Sequence, residues 1–257
     1  MLTVGDVHEF LVKIAPVELK MDFDNVGLLV GKMSADTCKI LVSLDITSAV
    51  ISEATDIGAK LIVSHHPLFF SLKSVTDTDI TGSKIIKLLE CGISAICMHT
   101  NLDAAQGGVN DALASAAGLI DAKPLPGDGD ISYGRVGNIK TPCDMQKYLT
   151  MLKKTLKTNG LRYHNAGKKV SKVAVVGGSG GDMLQSAHAV GCDTFVTADI
   201  KYDVFLQAKE LGVNLIDGDH FCTENLVTAV LAQRLSNAFD GVQVLVSKRH
   251  GQTAEFF

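Results

Sequence analysis

Two adjacent histidines give the sharpest chemical signal in this sequence. His65 and His66 follow the apolar segment 61–63 and precede Pro67, and such a short apolar run predicts a buried strand. Pro67 cannot donate to a strand ladder, so we expect the strand to end here. Neighbouring side chains of a strand point to opposite faces, so the two imidazoles could splay toward two different metal ions. A hydrogen-bonded turn is the competing interpretation.

A second candidate pair is His220 and Glu224, which stand four residues apart. If a helix running toward residue 238 begins here, this spacing places both side chains on one face. An imidazole together with a carboxylate suits Zn²⁺, Mn²⁺ or Fe²⁺ better than Ca²⁺ or Mg²⁺. The alternative is a solvated first helical turn, where the helix dipole favours an acidic residue. Cys222 lies between the two and should point away from the ligand face.

Asp103 and His99 follow another apolar segment, residues 93–98. Asp103 could be a metal ligand, or it could be a turn residue that hydrogen-bonds its own backbone. His99 should lie near the same strand end, where we expect it to orient a metal ligand or a substrate.

A glycine-rich run, residues 177–181, separates an apolar segment from a helix that we expect from residue 182. Such a run can present backbone N–H groups to an anion. It does not match the dinucleotide-binding fingerprint, because Met183 stands where the last glycine is required. We therefore favour a tight turn and keep an anion cradle as the alternative.

One recurring pattern positions these residues. A helical segment ends at glycine, an apolar strand follows, and polar residues cluster at the carboxyl end of that strand, in the segments 54–66, 88–103, 187–199 and 208–220. Alternating helices and buried strands predict an α/β fold of layered sheets with mostly parallel strands and crossover helices. Ligands of such sheets bind beyond the carboxyl ends of the strands, which is where the polar clusters lie.

The sequence changes character near Asp121. The Pro- and Gly-rich run 123–130 predicts a loop, and the residues after it predict a strand at 133–139, a helix at 145–156 and a strand at 161–164. We therefore predict a small α+β segment, residues 122–170. It would be inserted between residues 1–121 and 171–257, the two halves of a main α/β metal-binding domain.

Composition limits the classes of function. The 257 residues are 46% hydrophobic and carry a net charge of −4, which argues against an electrostatic nucleic-acid binder but is compatible with a small-molecule ligand. The six cysteines form no C-x-x-C pair, so they predict reduced core thiols in a cytoplasmic protein. The chain has neither a signal-peptide pattern at its start nor an apolar stretch of the roughly 18–20 residues that a membrane span needs.

Seven stretches, in order along the chain, resemble the Nif-three-like family, also called GTP cyclohydrolase 1 type 2 homologues. They are residues 23–31 (FDNVGLLVG), 64–68 (SHHPL), 99–103 (HTNLD), 107–111 (GGVND), 177–181 (GGSGG), 197–202 (TADIKY) and 217–224 (DGDHFCTE). Two positions depart from the family pattern. Phe23 stands where many members have Trp, and Cys222 stands where a non-thiol residue is expected.

The resemblance implies a dinuclear metal site with two divalent ions per chain, of Zn, Fe or Mn type. It implies a two-layered α/β fold in its short form and a ring-shaped homohexamer with metal sites that face an internal cavity. Glu224 would bridge the two ions. By position, the family's metal ligands fall on His65, His66, Asp103, His220 and Glu224.

The function that we predict is a metal-dependent hydrolase of a small polar molecule, with nucleotide-like and phosphorylated substrates included. Metal ions activate water, but the sequence shows no residue set that selects guanine. The alternative is a metal- or ligand-binding, chaperone-like or interaction protein without turnover. The candidates to hold a substrate or to orient a metal ligand are His99, Asp199, Lys201 and Tyr202.

Overall fold

The computed structural model describes residues 1–127, 129 and 131–256, so Asp128 and Asp130 of the predicted loop 123–130 lie outside the described residues. The helices are α1 (Val4–Ile14), α2 (Ser48–Ile57), α3 (Ile80–Glu90), α4 (Thr100–Ala104), α5 (Val109–Ala116), α6 (Met145–Leu156), α7 (Leu184–Ala189), α8 (Tyr202–Leu211), α9 (His220–Glu224) and α10 (Leu226–Ala238). The strands are β1 (Gly27–Val30), β2 (Lys39–Ser43), β3 (Leu61–Ser64), β4 (Ser94–Cys97), β5 (Leu119–Pro124), β6 (Arg135–Cys143), β7 (Arg162–His164), β8 (Val170–Val175), β9 (Thr194–Thr197), β10 (Asn214–Asp217) and β11 (Gln243–Val246).

The chain folds into two compact units, and the first comprises residues 1–106 and 227–251. Its sheet has the strand order β1-β4-β3-β2-β11. The pairs β11–β2, β2–β3 and β3–β4 are parallel, and β1 pairs with β4 in the antiparallel direction. Strands β3 and β4 are buried along their whole length, as their continuous apolar runs predict for parallel strands.

The second unit comprises residues 107–226 and the C-terminal residues from Gln252 onward. Its sheet has the strand order β5-β6-β8-β9-β10-β7. Strands β8, β9 and β10 form the parallel centre, while β5, β6 and β7 pair in the antiparallel direction. The side of α6 that carries Tyr148 and Leu152 packs against β8 in a buried apolar cluster.

These two mixed sheets with their helices confirm the α/β class. The helix predicted at 145–156 coincides with α6, and the strands predicted after the glycine-ended helices coincide with β3, β4, β9 and β10 within two residues. Helix α2 ends at Gly58, whose φ of 72° is the left-handed conformation that glycine adopts without a steric penalty. None of the helices among the described residues is long and apolar enough to cross a membrane.

The boundaries of the two units differ from those drawn on the sequence. The predicted insert, residues 122–170, lies wholly inside the second unit. Its strands share a sheet with the strands around them, because β6 pairs with β8 and β7 pairs with β10. The Pro-rich composition near residue 123 marks the end of β5 and not the start of a separate body.

Candidate metal centre

In the first unit, the candidate residues follow the carboxyl ends of adjacent parallel strands. His65 and His66 come directly after β3, His99 comes two residues after β4, and Asp45 comes two residues after β2. Asp103 lies in the short helix α4, which begins next to His99. The predicted convergence of polar residues at this sheet edge is therefore present within this unit.

Three imidazoles meet at this edge. The ring centroids of His65 and His66 are 5.0 Å apart, and the ring of His99 lies 5.2 Å from the first and 5.5 Å from the second. One nitrogen from each ring lies within 4.8 Å of the others, so the three could hold a metal ion together. The two adjacent rings both turn toward His99 and do not splay to opposite faces. The strand has already ended at Ser64, so the alternation of a regular strand no longer applies.

A backbone carbonyl orients the ring of His65 and turns its Nε2 atom toward Asp103. The Nδ1 atom lies 2.8 Å from the backbone carbonyl oxygen of Met98. A carbonyl can only accept, so Nδ1 carries a hydrogen, and Nε2 is the atom through which this ring would bind a metal ion. This Nε2 atom lies 3.5 Å from Oδ1 of Asp103, and the His65 side chain is fully buried.

His66 and His99 are oriented in the same way, by carboxylates. Nδ1 of His66 lies 2.8 Å from Oδ1 of Asp45, and Nδ1 of His99 lies 2.8 Å from Oδ1 of Asp24. The other oxygen of Asp24 accepts from the backbone and the hydroxyl of Thr100. Burial alone would raise the pKa of Asp24, but the hydrogen bonds from His99 and Thr100 outweigh it and hold that pKa well below its usual range.

Phe23 occupies the family's Trp position next to this group. Its ring lies 5.9 Å from that of Phe70, which in turn lies 5.8 Å from the ring of His99. Both phenylalanines are more than half exposed. The position therefore carries an exposed aromatic ring beside the imidazoles and is not a core packing position.

In the second unit, His220 and Glu224 lie on one face of α9. The helix begins here because the side chain of Asp219 accepts the N–H of Cys222 at its first turn. Nε2 of His220 lies 3.0 Å from Oε2 of Glu224, and its Nδ1 lies 2.6 Å from Oδ2 of Asp199. Glu224 is 4% exposed, so the interpretation as a solvated first turn is wrong for this carboxylate.

The helix predicted to run from residue 220 to 238 is two helices. Helix α9 ends at Glu224 and α10 begins at Leu226. Cys222 packs into the apolar cluster of the second unit, as its position two residues after His220 predicts. Burial raises the pKa of its thiol to about 12.

The electrostatics of His220 lead to a prediction about pH. Burial would lower the pKa of His220, but the hydrogen bonds and charges of Glu224 and Asp199 outweigh it and raise that pKa to about 9. Below this pH the metal-free ring is protonated, so a metal ion that binds Nε2 must displace a proton. We therefore expect metal affinity to rise with pH up to about 9. Calorimetry in two buffers at about pH 8 should find that this ring releases roughly one proton on metal binding.

The control for this measurement is His220→Gln, which removes the titrating ring. Proton release at the same pH should fall by about one in this variant. Equal proton release from both proteins would show that His220 either stays protonated or has already lost its proton before metal binds.

The glycine-rich run 177–181 is a tight turn that packs against Glu224. Gly178 has a φ of 63°, and a Cβ atom there would overlap Oε1 of Glu224 and lie 3.2 Å from Cε1 of His220. The N–H groups of three of its glycines are directed into the protein. Those of 177, 178 and 180 donate to the side-chain oxygens of Asn110 (2.9 Å), Thr223 (3.1 Å) and Thr197 (2.9 Å). These three groups are therefore not directed at an external anion.

The remaining candidate residues, Asp199, Lys201 and Tyr202, have different surroundings. Asp199 orients His220, and together with Lys201 it lines a cleft of about 480 Å³ in the second unit. Asp199 has a φ of 51°, a left-handed conformation that is uncommon outside glycine. Tyr202 begins α8 with its side chain 78% exposed.

Three residues of the hydrogen-bond network around the candidate histidines were not identified from the sequence. Asp24 lies inside one of the family stretches but carries no metal-ligand pattern, and Asp45 follows a strand without a histidine beside it. His250 belongs to no motif in the sequence, and its Nε2 atom lies 2.6 Å from Oδ2 of Asp45. The position of Asp45 after an apolar strand is the one signal that could have identified it.

The comparisons with known proteins agree with one another. A family model described as Duf34/NIF3 (NGG1p interacting factor 3) matches residues 2–252. A Clostridium perfringens protein named GTP cyclohydrolase 1 type 2 homolog is 35% identical, and the match covers 99% of this chain and 100% of that protein. A Helicobacter pylori protein named GTP cyclohydrolase 1 type 2 is 32% identical, with 91% of this chain and 92% of that protein covered.

The fold also has solved counterparts. The crystal structure of a Bacillus cereus protein related to NIF3 superposes with a TM-score of 0.92, covers 100% of this chain and 99% of its own, and is 23% identical. At this level of identity the likeness shows a shared fold.

Proposed function

Because this chain belongs to the Duf34/NIF3 family, as the sequence stretches predicted, we propose that it is a metal-dependent hydrolase of a small polar molecule. It would hold two divalent ions of Zn, Fe or Mn type. The ligands in this proposal are His65, His66, Asp103, His220 and Glu224.

The orientation of the imidazoles is the observation that carries the proposal. Each of four histidines has its Nδ1 atom on an acceptor: His65 on Met98 O, His66 on Asp45, His99 on Asp24 and His220 on Asp199. Histidines that bind metal through Nε2 characteristically donate the other N–H to a carboxylate or a carbonyl. The donor set is also that of a transition metal, with imidazoles and carboxylates and no thiolate.

Residues of this chain would orient the imidazoles that hold the metal ions. Divalent ions of this type supply a Lewis acid that activates water near neutral pH. The hydrogen bonds on Nδ1 fix the ring orientations, so little movement of the rings is needed on metal binding. His220 must in addition release the proton that Glu224 and Asp199 stabilise on its ring. His99 lies close enough to His65 and His66 to serve as a further ligand or to orient the substrate.

A nucleotide-like or phosphorylated substrate is the specific form of the proposal. It is supported by the name of the Helicobacter pylori relative, GTP cyclohydrolase 1 type 2. Lys201 would attract a negatively charged substrate group, and Asp199 would both orient His220 and face the cleft. Tyr202, which is exposed beside Lys201, would contact the substrate from the start of α8.

A hydrolase screen tests this function. Metal-loaded protein is assayed on a panel of nucleotides, phosphate esters and small amides, then stripped with chelator and reloaded with one metal at a time. We expect turnover of at least one class that disappears with chelator and returns with metal. Tight stoichiometric metal binding without turnover on the whole panel would instead identify a metal-binding or chaperone-like protein.

The family description, which names an interacting factor, favours an interaction protein as the second candidate. Such a protein would keep its partner binding when the metal ligands are replaced. Pull-down with His65→Ala and Glu224→Ala variants separates the two functions, because a hydrolase loses turnover in both.

Self-association is a further part of the proposal. Several apolar side chains of the first unit are exposed: Phe23 and Phe70, whose ring centroids are 5.9 Å apart, and also Leu72 and Ile80. A surface of this kind is typical of an interface. We expect a homohexamer with closed symmetry, so light scattering at micromolar concentration should give six times the mass of the chain. A monomer would contradict this prediction.

The cellular setting that we propose is the cytoplasm. All six cysteines are free in the structure, and Cys97, Cys192 and Cys222 are buried. Unpaired thiols of this number are typical of proteins from a reducing compartment.

A further inference from the structure

Asp45 connects two histidines. Its Oδ1 atom lies 2.8 Å from Nδ1 of His66, and its Oδ2 atom lies 2.6 Å from Nε2 of His250. A carboxylate accepts through both oxygens, so both rings can donate to it at once. The result is a hydrogen-bond chain from His250 through Asp45 to His66.

His250 is held in place by a separate set of contacts. It follows β11, whose residue Val246 is in parallel register with Val42 of β2. The backbone N–H groups of Lys248 and Arg249 donate to the carboxylate of Glu53 at 3.0 and 3.2 Å.

Glu53, which accepts these hydrogen bonds, is a buried residue. It lies on α2 and is 7% exposed, and it also accepts the Ser247 hydroxyl at 2.5 Å. The segment that carries His250 therefore follows a strand of the same sheet as β3, the strand that His66 follows.

We propose that Asp45 and His250 are positioning residues for His66, in an inference that rests on the proposed metal-binding function. Asp45 fixes the ring of His66 with its hydrogen on Nδ1 and its lone pair on Nε2. His250 fixes Asp45 by occupying the oxygen that His66 does not use. The C-terminal segment after β11 is thereby a functional part of the metal centre.

The proposal depends on the two acceptor oxygens of the Asp45 carboxylate, because only a carboxylate accepts from both rings at once. An asparagine at position 45 has a single acceptor oxygen, so only one of the two rings can still donate to it, and the other ring faces its amide N–H₂. Either His66 must accept through Nδ1 and so place its hydrogen on Nε2, or His250 must take the tautomer that accepts through Nε2. In both cases the negative charge beside His66 is lost. Replacement of an outer hydrogen-bond partner of a metal ligand typically weakens metal binding by about 10–100-fold.

Titration of the full chain with Co²⁺, followed by its visible absorption and by chelator competition, tests the proposal. We expect Asp45→Asn to weaken one of two bound Co²⁺ ions by about 10–100-fold and to shift the absorption of that ion. The same ion should be the one lost in His66→Ala.

Two substitutions of His250 distinguish the effect of its hydrogen bond to Asp45 from the effect of its packing. His250→Leu removes the donor and should weaken the same ion by roughly tenfold. His250→Gln keeps an N–H donor and should bind close to wild type. His188→Leu is the matched control, since His188 is exposed on α7 of the second unit, and it should leave both ions unchanged.

The outcomes divide cleanly. If Asp45 and His250 have a purely structural role, Asp45→Asn and His250→Leu should lower the melting temperature while the folded protein binds both ions with wild-type affinity. This result would overturn the positioning role and leave the proposed metal function standing. If wild-type protein takes up no Co²⁺, the proposed metal function fails and the positioning role fails with it. Equal weakening in His250→Gln and His250→Leu would show that the hydrogen bond from residue 250 is not what positions His66.

Discussion

Replacement of Glu224 by alanine is expected to remove most of both metal ions. In the proposed centre Glu224 would hold both ions, whereas His65 and His66 would each hold one. Glu224 is 4% exposed and its Oε2 lies 3.0 Å from Nε2 of His220, so its loss removes a buried negative charge and a ligand together. The affinity for both ions should fall by at least the roughly 10–100-fold that loss of an outer partner costs.

The histidine variants provide the contrast. His65→Ala and His66→Ala should each weaken one ion chiefly and keep the other. Glu210→Ala is the matched control, since Glu210 is an exposed glutamate of α8. All variants should stay folded by circular dichroism, because none of the replaced side chains lies within a sheet: His65 and His66 follow β3, and the two glutamates lie on helices. If Glu224→Ala keeps two ions while a histidine variant loses both, the bridging role belongs to another residue.

Replacement of Gly178 by alanine should have the second-largest effect on metal content. The added Cβ would overlap Oε1 of Glu224, so the carboxylate must move away from the position that it holds beside His220. The glycine also has a φ of 63°, where a side chain costs about 1–2 kcal/mol. We expect metal affinity to fall by about 10–100-fold, as for a displaced ligand.

Gly191→Ala separates displacement of the carboxylate from backbone strain. Gly191 has a φ of 78°, and a Cβ atom there would meet no atom within 4 Å. Both alanine variants should lose stability in urea unfolding because of the positive φ, but only Gly178→Ala should lose metal. A loss of metal in both variants would show that strain in the second unit is sufficient to disrupt the site.

The parts of the fold and of the site that could be predicted are those that a local sequence pattern determines. Each glycine-ended helix is followed by an apolar strand of about four residues, and this is why His65, His99 and His220 could be placed beyond strand ends. Glu224 could be placed on the face of His220 because the helical period is local as well. The family stretches then supplied the combination of ligands.

The partners of those histidines could not be found in the same way. Asp45 and His250 are 205 positions apart in the chain, and His99 is 75 positions from Asp24. Strand β11, which brings His250 to the sheet, was not predicted, and its four residues are partly or fully exposed. Contacts of this kind depend on the packing of the whole sheet and not on periodicity.

Composition alone could not show that residues 122–170 lie within the second unit, for a related reason. The composition near residue 123 resembles a domain linker, but β5 and β6 form an antiparallel pair across it. Pairing between strands leaves little trace in composition, so a turn between two strands and a boundary between two domains look alike in the sequence.

Metal analysis of the purified chain, reconstituted with Zn²⁺, Mn²⁺ or Fe²⁺ and freed of excess ion, tests the central claim most directly. The proposed centre of imidazoles and carboxylates predicts close to two ions per chain for at least one of these metals, and far fewer in Glu224→Ala. A wild-type protein that repeatedly retains no transition metal after reconstitution would contradict the account.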